Sequence, residues 1–328
     1  MRAFVISEVD DSLSMGVREV EAAAKEPSDL LVAVEFSGVN FKDAMVAAPK
    51  SRVRRVPSLV GGVDAAGTVV ESNEASLPPG SRVAVHGGAF GVARDGGFAE
   101  FIYSPARYVT ALPASISTRV AMIIGTAGFT AMESLLVLED HGLEKDGEVL
   151  VTGATGGVGS QAVALLAAAG YRPVASTGSP GESAWLIERG AVRVIGRDDV
   201  ADNPGRVLAS ETWAGAIDCV GGATLAQILR SLRYGAAVAA SGLVASPELV
   251  TTVYPFITRS VSLLGIDSVE ATSATRTRVW SRLGDVAPRI DFESLKDREV
   301  RLDDIPAALR DVGDGKTRGR ILVNPTPG

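Results

Sequence analysis

Residues 149–170 read VLVTGATGGVGSQAVALLAAAG, in which an apolar segment leads into glycines at positions 153, 156, 157 and 159 and then into an alanine-rich segment. This order predicts a β-strand, a tight turn and an α-helix. Such a turn lets the backbone approach a pyrophosphate, and the helix N-terminus offers it free N–H groups and the positive end of the helix dipole. The stretch therefore predicts a dinucleotide-binding site, against the alternative of a purely structural turn.

The residues after this stretch alternate between strand-like and helix-like segments. RPVAST, RVIG, GAIDCV, AAVAASG and VSLLGIDS are typical of buried strands, whereas GESAWLIERG and ATLAQILRSL are typical of helices. Alternation of this kind indicates a doubly wound parallel sheet. We assign residues 123–289 to this nucleotide-binding domain.

The first 120 residues have a different character. RAFVI, DLLVAVEFSGV, AAGTVVES, RVAVHG and AEFIYS favour strands, and the turn residues of PSD, PPGS and DGG separate them. The C-terminal segment REVRLDDIPAALRDVGDGKTRGRILVNP returns to strand, helix and strand. We expect residues 1–122 and 290–328 to form one domain around a small β-barrel, which makes the fold class α/β with two domains.

The composition and net charge limit which kinds of partner the chain can bind. Of 328 residues, 46% are hydrophobic and 22% are charged, as is typical of soluble globular proteins. The net charge of −7 disfavours nucleic acid or an anionic membrane as the main partner. The sequence has neither an uninterrupted apolar run of 18 residues nor a signal-peptide pattern, so we expect a cytoplasmic protein that acts on a small molecule.

Metal-ligating residues are scarce in this sequence. It contains one cysteine, Cys219, and two histidines, His86 and His141, which lie far apart along the chain. Structural zinc is usually held by four Cys or His ligands and catalytic zinc by three protein ligands. We therefore expect no metal site.

The segment after the second strand bears on which dinucleotide is bound. NAD-binding sites carry an acidic residue there, which binds the 2′-hydroxyl of the ribose. Here RPVAST ends at Thr177 and is followed by Gly178 and Ser179, with no acid before Glu182. Small hydroxyl groups and the nearby Arg197 suit a 2′-phosphate, which predicts NADP. The alternative is a simple turn beside a solvated surface arginine.

Several motifs recur in an order known from one family. They are GVNFKDA, GGFAEF, GTAGFTAM, LEDHG, GATGGVGSQAVALLAAAGY, AIDCVGG, RYGAAVAASGL, PFITRSVSLLGIDS and GKTRGRILV. Over roughly residues 30–328 the chain resembles the zinc-free branch of the medium-chain dehydrogenase/reductase superfamily. Within that branch it is similar to the acryloyl-CoA reductase and YhdH/YhfP-type quinone oxidoreductase family. The resemblance implies a GroES-like domain built from both ends of the chain, with a Rossmann domain inserted between them.

The resemblance also implies an NADPH-dependent oxidoreductase. Hydride would pass to the β-carbon of a short α,β-unsaturated acyl-CoA such as acryloyl-CoA, negative charge would collect on the thioester oxygen, and the α-carbon would take a proton. The protein would contribute positioning and charge stabilisation. Two alternatives stay open, namely the same fold acting on quinones or free enones, and a non-enzymatic NADPH-binding protein.

The family motifs assign individual residues to the site. Asn40 matches an asparagine near the nicotinamide and the reacting centre, Thr130 a threonine that contacts the nicotinamide side of the cofactor, and Arg320 a basic residue near a cofactor phosphate or the substrate. The remaining matches lie in the pyrophosphate turn and beside the nicotinamide: Gly156, Gly157, Val158, Ile266 and Asp267.

Further candidates follow from their position in the sequence. Cys219, Val220, Gly242 and Leu243 follow two successive strands of the predicted parallel sheet, where ligands of such sheets collect. Lys42 comes two residues after Asn40, so we treat it as a candidate catalytic residue, with a surface or capping role as the alternative.

The sequence departs from the family pattern at three places. Phe41 stands where the family usually has tyrosine, which removes a hydroxyl that could relay a proton. Ser179 stands where arginine is common, which weakens the prediction of NADP. The segment at 47–60 differs, and its basic run KSRVRR, residues 50–55, either binds the phosphates of CoA or is a solvated loop.

The strand VSLLGIDS, residues 261–268, bears on the oligomeric state. An edge strand can pair with its copy in a second chain and extend the sheet across a two-fold axis. The resemblance therefore implies a homodimer.

Overall fold

The fold is taken from a computed structural model, which describes residues 1–22, 26–200 and 206–326. The strands are β1 (Arg2–Val9), β2 (Ser12–Glu19), β3 (Asp29–Val39), β4 (Ser58–Val60), β5 (Asp64–Glu71), β6 (Arg82–His86), β7 (Phe101–Pro105), β8 (Val109–Ala111), β9 (Glu148–Val151), β10 (Arg172–Thr177), β11 (Arg193–Gly196), β12 (Gly215–Asp218), β13 (Ala237–Ala240), β14 (Ser262–Gly265), β15 (Lys296–Arg301) and β16 (Arg320–Asn324). The helices are α1 (Phe41–Val46), α2 (Thr118–Asp140), α3 (Gly157–Ala168), α4 (Ser183–Glu188), α5 (Gly222–Ser231), α6 (Tyr254–Arg259), α7 (Ser273–Val286) and α8 (Ile305–Gly313).

The chain forms two compact units. The first unit comprises residues 1–127 and 268–328, and the second comprises residues 128–267. These limits differ from the domain boundaries expected at 122/123 and 289/290, and the last two residues of the expected range 290–328 lie outside the described residues.

The larger difference concerns α7, which the sequence placed with the nucleotide-binding domain. Arg276 of α7 donates to the carbonyl oxygen of His86 at 2.9 Å, and the indole of Trp280 donates to the ring of the same histidine at 3.4 Å. Because His86 ends β6, these buried contacts tie α7 to the first unit.

The first unit is built on a mixed sheet of seven strands. Its order is β15-β16-β3-β5-β6-β8, and β7 pairs with the N-terminal half of β3. All of these pairings are antiparallel except that of β15 with β16. A second sheet has the order β2-β1-β4. Alternating buried residues along β3, among them Leu30, Val32 and Val34, pack into the core, as expected of a strand with one buried face.

The second unit is a parallel sheet of six strands in the order β11-β10-β9-β12-β13-β14. Its central strands are almost wholly buried, with Leu150, Val174, Ala216 and Val238 at 0% exposure. In chain order the strands run 3-2-1-4-5-6, which is the order of the Rossmann fold. The doubly wound domain predicted from the sequence is thereby confirmed.

Helix α2 is long and apolar. By length and composition it passes the test for a membrane-spanning segment, although threonine, serine and glutamate interrupt its apolar run. In the structure 78% of the most apolar 18-residue stretch of α2 is buried inside the protein, which is the environment of a core helix. Its backbone is non-helical at Gly125, where φ is 51° and ψ is −163°.

Candidate active site

The glycine-rich turn joins β9 to α3 as predicted. Gly156 precedes the first residue of α3, and its N–H donates to the carbonyl oxygen of Gly153, which has a φ of 59°, at 2.9 Å. A Cβ at Gly159 would lie 2.3 Å from that same oxygen, so only glycine fits there. The first regular helical bond runs from the N–H of Ser160 to Gly156, which leaves the N–H groups of residues 157–159 directed out of the helix end. This arrangement suits a pyrophosphate.

The residues predicted to hold a 2′-phosphate lie together. Thr177 ends β10 and Arg197 follows β11, and these two strands pair in parallel so that Thr177 lies beside Gly196. A Cβ on Gly178 would lie 2.3 Å from a terminal nitrogen of the Arg197 guanidinium. The hydroxyl of Thr177 accepts a bond from the N–H of Ser179 at 3.0 Å. The structure thus brings a guanidinium and two hydroxyl side chains to the end of β10.

The predicted residues after β12 and β13 are also neighbours. A Cβ at Gly242 would lie 2.1 Å from the carbonyl oxygen of Cys219, which explains glycine at this position. Burial raises the pKa of the Cys219 thiol to about 12, so it stays protonated near neutral pH and offers no thiolate. Val220 is half-buried, and the side chain of Leu243 is 56% exposed.

Asp218 and Thr152, which support the turn after β12, were not identified from the sequence. The buried carboxylate of Asp218 accepts bonds from the Thr152 hydroxyl at 2.6 Å and from the N–H groups of Val220 and Gly221 at 3.3 and 2.8 Å. Burial raises the pKa of Asp218, whereas these donors lower it. The sequence does carry a signal for Asp218, which is an acidic residue at the end of an apolar strand, AIDCV. A carboxylate buried at such a position needs hydrogen-bond donors around it.

The remaining candidates of the second unit are separate in sequence. Thr130 is buried within α2, and its carbonyl oxygen accepts a bond from the hydroxyl of Ser134. Ile266 follows β14, and its N–H donates to Ala240 at 3.1 Å, while Asp267 is exposed. Ile266 and Asp267 thus follow the end of a parallel strand, as expected. The contact of Thr130, Ile266 and Asp267 with a nicotinamide stays a prediction.

In the first unit, Asn40 precedes α1 and is buried. Its amide nitrogen donates to the carboxylate of Asp64 at 2.7 Å and to the carbonyl oxygen of Gly38 at 3.3 Å. Its side-chain oxygen accepts a bond from Arg320 at 2.8 Å. Because both amide hydrogens and the oxygen have protein partners, the role that the structure favours for Asn40 is positioning rather than direct contact with a substrate.

Arg320 lies in an environment that differs from the expected one. Its side chain is 3% exposed, and its guanidinium donates to Val39, Asn40 and Asp64, at 3.2 Å in the last case. Burial lowers the pKa of Arg320, and the neighbouring Asp64 opposes this effect. The expected contact with a cofactor phosphate or with the substrate does not fit, because the guanidinium is enclosed by the first unit and paired with Asp64.

Asp43 was not singled out in the sequence. Its two carboxylate oxygens accept bonds from the N–H groups of Asn40 and Val63 at 2.8 and 2.9 Å. Burial raises the pKa of Asp43 to about 7, and the charge of Asp64 adds to this. The motif NFKD could have indicated it, because an acid three residues after an N-cap position commonly reaches back to that residue's N–H.

Lys42 presents its ammonium outside this buried network. Its side chain is half-buried, and it makes no hydrogen bond or ion pair within the described part of the chain. The neighbouring Phe41 and Met45 are 45% and 39% exposed, one helical turn apart. Helix α1 therefore carries a cation beside an exposed apolar stripe.

Two of the four cations in the basic run at residues 50–55 form ion pairs within the chain. The buried guanidinium of Arg54 is paired with Glu8 and donates to Val46 at 2.7 Å, and Lys50 is paired with Asp11 at 3.4 Å. Arg52 and Arg55 are exposed, with no ion pair among the residues described here. Since Ser51 donates to the carbonyl oxygen of Met45, this loop lies against the end of α1.

Metal-ligating side chains do not cluster in the described residues, where no three His, Cys, Asp or Glu come together. His86 is fully buried beside Arg276, and burial lowers its pKa well below the usual value. A neutral histidine with two donors of α7 around it has a structural role.

Two known protein families match this chain, one in its N-terminal part and one in its central and C-terminal part. Residues 26–114 match the alcohol dehydrogenase GroES-like domain, which confirms that expectation, and residues 157–283 match the zinc-binding dehydrogenase family. YhfP of Bacillus subtilis, which carries a provisional name as a quinone oxidoreductase, is 42% identical over 95% of each chain. The acrylyl-CoA reductase AcuI of Ruegeria pomeroyi is 41% identical over 98% of each chain.

Solved structures agree with these matches. The YhdH oxidoreductase of Salmonella enterica, in complex with NADP, is 39% identical and superposes with a TM-score of 0.93 over 99% of this chain and 100% of that one. B. subtilis YhfP with NAD bound is 41% identical, with a TM-score of 0.95 over 99% of each chain. The chain therefore belongs to the quinone oxidoreductase and acrylyl-CoA reductase family of the medium-chain dehydrogenases/reductases.

Proposed function

We propose that this oxidoreductase uses NADPH to reduce the carbon–carbon double bond of a short α,β-unsaturated acyl-CoA such as acryloyl-CoA. The observation that carries the choice of NADPH is the Arg197 guanidinium against Gly178 at the end of β10, where the chain has no acidic residue between Thr177 and Glu182. The identity of 41% to an acrylyl-CoA reductase over nearly the whole chain supports the substrate class.

The residues of the second unit fit the cofactor. Glycine at position 159 keeps the turn tight, because a Cβ there would lie 2.3 Å from the carbonyl oxygen of Gly153, and the N–H groups at the start of α3 would hold the pyrophosphate. Thr177, Ser179 and Arg197 would hold the 2′-phosphate. NADPH, when bound, supplies the hydride. Two solved YhdH structures contain NADP or NADPH and YhfP contains NAD, so this assignment depends on the side chains of this chain.

Lys42 is the residue we assign to the substrate. Reduction of an enoyl thioester adds a hydride to the β-carbon and a proton to the α-carbon, and negative charge develops on the thioester oxygen in between. An ammonium with no protein partner within the described residues, held on a short helix, can stabilise that charge. Phe41 has no proton to give, so the α-carbon would take its proton from water, and the role we assign to Lys42 is electrostatic.

A quinone or free enone is the second candidate substrate. It is supported by the identity of 42% to YhfP and by the exposed apolar side chains of Phe41 and Met45. Under this alternative the same two units would act on a substrate that carries no phosphate.

The test is an assay of acryloyl-CoA, crotonyl-CoA and a simple quinone, each with NADPH and NADH, following the absorbance of the reduced nicotinamide. We expect the highest kcat/KM with acryloyl-CoA and NADPH. Lys42→Met should lower that kcat by a factor of about 100, the size of effect seen for a lost charge-stabilising donor, and Lys42→Arg should lower it less. Preference for the quinone would favour the alternative, and no turnover with any acceptor would refute the proposed function.

A further inference from the structure

Four segments of the first unit meet at the buried carboxylate of Asp64, which begins β5. It accepts bonds from the amide of Asn40 at 2.7 Å, from the guanidinium of Arg320 at 3.2 Å and from the N–H of Thr126 at 3.0 Å. The Thr126 hydroxyl donates to its other oxygen. Asp64 thus connects the end of β3, the start of β16 and the interior of α2.

The backbone is shaped to admit this ion pair. A Cβ at Gly38 would lie 2.8 Å from the Arg320 guanidinium, and a Cβ at Gly125 would lie 2.5 Å from the Asp64 carboxylate. The positive φ at Gly125 breaks α2 at the point where the N–H of Thr126 turns toward Asp64. A buried ion pair is expensive to desolvate and adds little stability by itself, so stability alone does not explain this arrangement.

The network reaches α1 through Asn40. The Asn40 side chain is held by Asp64 and Arg320, and its N–H is held by Asp43, whose other oxygen holds Val63. Asn40 immediately precedes α1, a helix of six residues. The orientation of the first turn of α1 is therefore set from its N-terminal side by buried polar contacts.

We propose that Asp64 and Arg320 are positioning residues that hold Asn40 and, through it, the first turn of α1, and thereby fix the ammonium of Lys42 against the substrate. This inference rests on the role assigned to Lys42 in the proposed function. Neither Asp64 nor Arg320 contacts the substrate, since both are enclosed within the first unit.

A second, part-buried ion pair provides a control. Arg94 and Asp29 form an ion pair of 2.5 Å in the same unit, with the Asp29 side chain at 0% exposure, and Arg94 also pairs with Glu26 at 2.7 Å. Asp29 is the first and Val39 the last residue of β3, which has 11 residues, so the control lies at the opposite end of the strand, about 30 Å from Asn40. We compare Asp64→Asn/Arg320→Gln with Asp29→Asn/Arg94→Gln, which remove both charges in each case.

Hydrogen exchange of the amides at 41–46 measures the positioning without any need for activity. We expect exchange at least 10-fold faster in Asp64→Asn/Arg320→Gln and unchanged in the control variant. With the best acceptor we expect kcat to fall at least 10-fold only in the network variant, while the dissociation constant of NADPH, measured by its fluorescence, stays within twofold in both. If the network variant does not fold, Arg320→Lys replaces it, since this change keeps the charge and removes the forked geometry.

The outcomes separate the two proposals. Unchanged exchange at 41–46 in the network variant would overturn the inference whatever the activity is. Faster exchange with an unchanged kcat, or equal losses of kcat in both variants, would also overturn it. A wild-type protein inactive toward every acceptor would instead refute the proposed function, while the exchange data would still decide whether the network holds α1.

Discussion

Arg320 donates to the side-chain oxygen of Asn40 at 2.8 Å, although 280 positions separate the two residues in the sequence. The guanidinium of Arg320 is buried in the first unit, with a side-chain exposure of 3%, and its partners there are Val39, Asn40 and Asp64. Among the residues considered for the cofactor phosphates, Arg197 is consequently the one whose guanidinium is exposed. The discrimination between NADPH and NADH should depend on it.

Arg197→Glu should weaken NADPH about 10- to 100-fold and leave NADH within about twofold, because one charge-assisted contact to the 2′-phosphate is lost and replaced by repulsion. Dissociation constants measured by nucleotide fluorescence check this. Arg172→Glu, an exposed change at the start of β10, is the control. Equal weakening of both nucleotides would contradict the assignment of a 2′-phosphate site.

Gly156→Asp should abolish NADPH binding, because a carboxylate would face the pyrophosphate at the start of α3. Gly156→Ala should retain most of the affinity, since the φ of −78° suits any L-residue and a Cβ would lie 3.3 Å from the nearest backbone oxygen. Calorimetric titration of both variants with NADPH is the measurement. If Gly156→Asp bound NADPH as the wild type does, the pyrophosphate would have to lie elsewhere.

Arg52→Glu/Arg55→Glu should raise the KM for acryloyl-CoA at least 10-fold, if these exposed cations contact the phosphates of CoA. Steady-state kinetics should show no change with acryloyl-pantetheine, which has the thioester without the phosphates. Arg18→Glu/Arg172→Glu alters the net charge equally at two other exposed positions and should leave both KM values unchanged. An identical rise for both thioesters in the first variant would indicate a disturbed loop instead of phosphate binding.

Asp43 should make stability depend on pH. Its folded pKa of about 7 exceeds the ordinary value of 3.8, so the folded state binds more protons than the unfolded state between those values, and the free energy of unfolding falls as pH rises through this window. The shift corresponds to about 4 kcal/mol. The variant Asp43→Asn carries an amide at this position, which does not titrate, and should lose this dependence.

Urea unfolding at pH 5 and pH 8 tests this dependence. The variant should be less stable than the wild type at pH 5, because the neutral carboxyl keeps one oxygen for Asn40 and one for Val63, whereas an amide has a single acceptor oxygen. The gap should narrow or reverse at pH 8, where the wild type holds a buried negative charge. A gap of the same size at both pH values would show that Asp43 does not titrate in this window.

Strand β14 is an edge of the six-stranded sheet, and we propose that it pairs with its copy in a homodimer. The N–H groups of Ser262 and Ile266 point inward to Ala236 and Ala240, so by alternation that of Leu263 points to the free edge. Leu263→Pro should therefore yield monomers in light scattering, whereas Leu263→Ala should remain dimeric. A monomeric wild type at micromolar concentration would exclude the dimer.

Much of the second unit was determined by the sequence alone. The strand, turn and helix at 149–170 depend on local properties, namely apolar runs, glycine at a positive φ and the periodicity of small residues, and these are written in adjacent residues. The grouping of Thr177, Ser179 and Arg197 follows from the same cause, since the carboxyl ends of neighbouring parallel strands meet at one edge.

Tertiary structure decided which polar side chains are available to ligands. Arg54 was indistinguishable from Arg52 and Arg55 in KSRVRR, and only the fold shows that its guanidinium is buried and paired with Glu8. Asp43, Asp64 and Arg320 came together from three distant segments, and the packing of α7 on His86 moved one domain limit from 289/290 to 267/268. The physical reason is that burial and charge pairing are made by residues far apart in the chain, so local patterns identify a charged group without showing whether another part of the protein neutralises it.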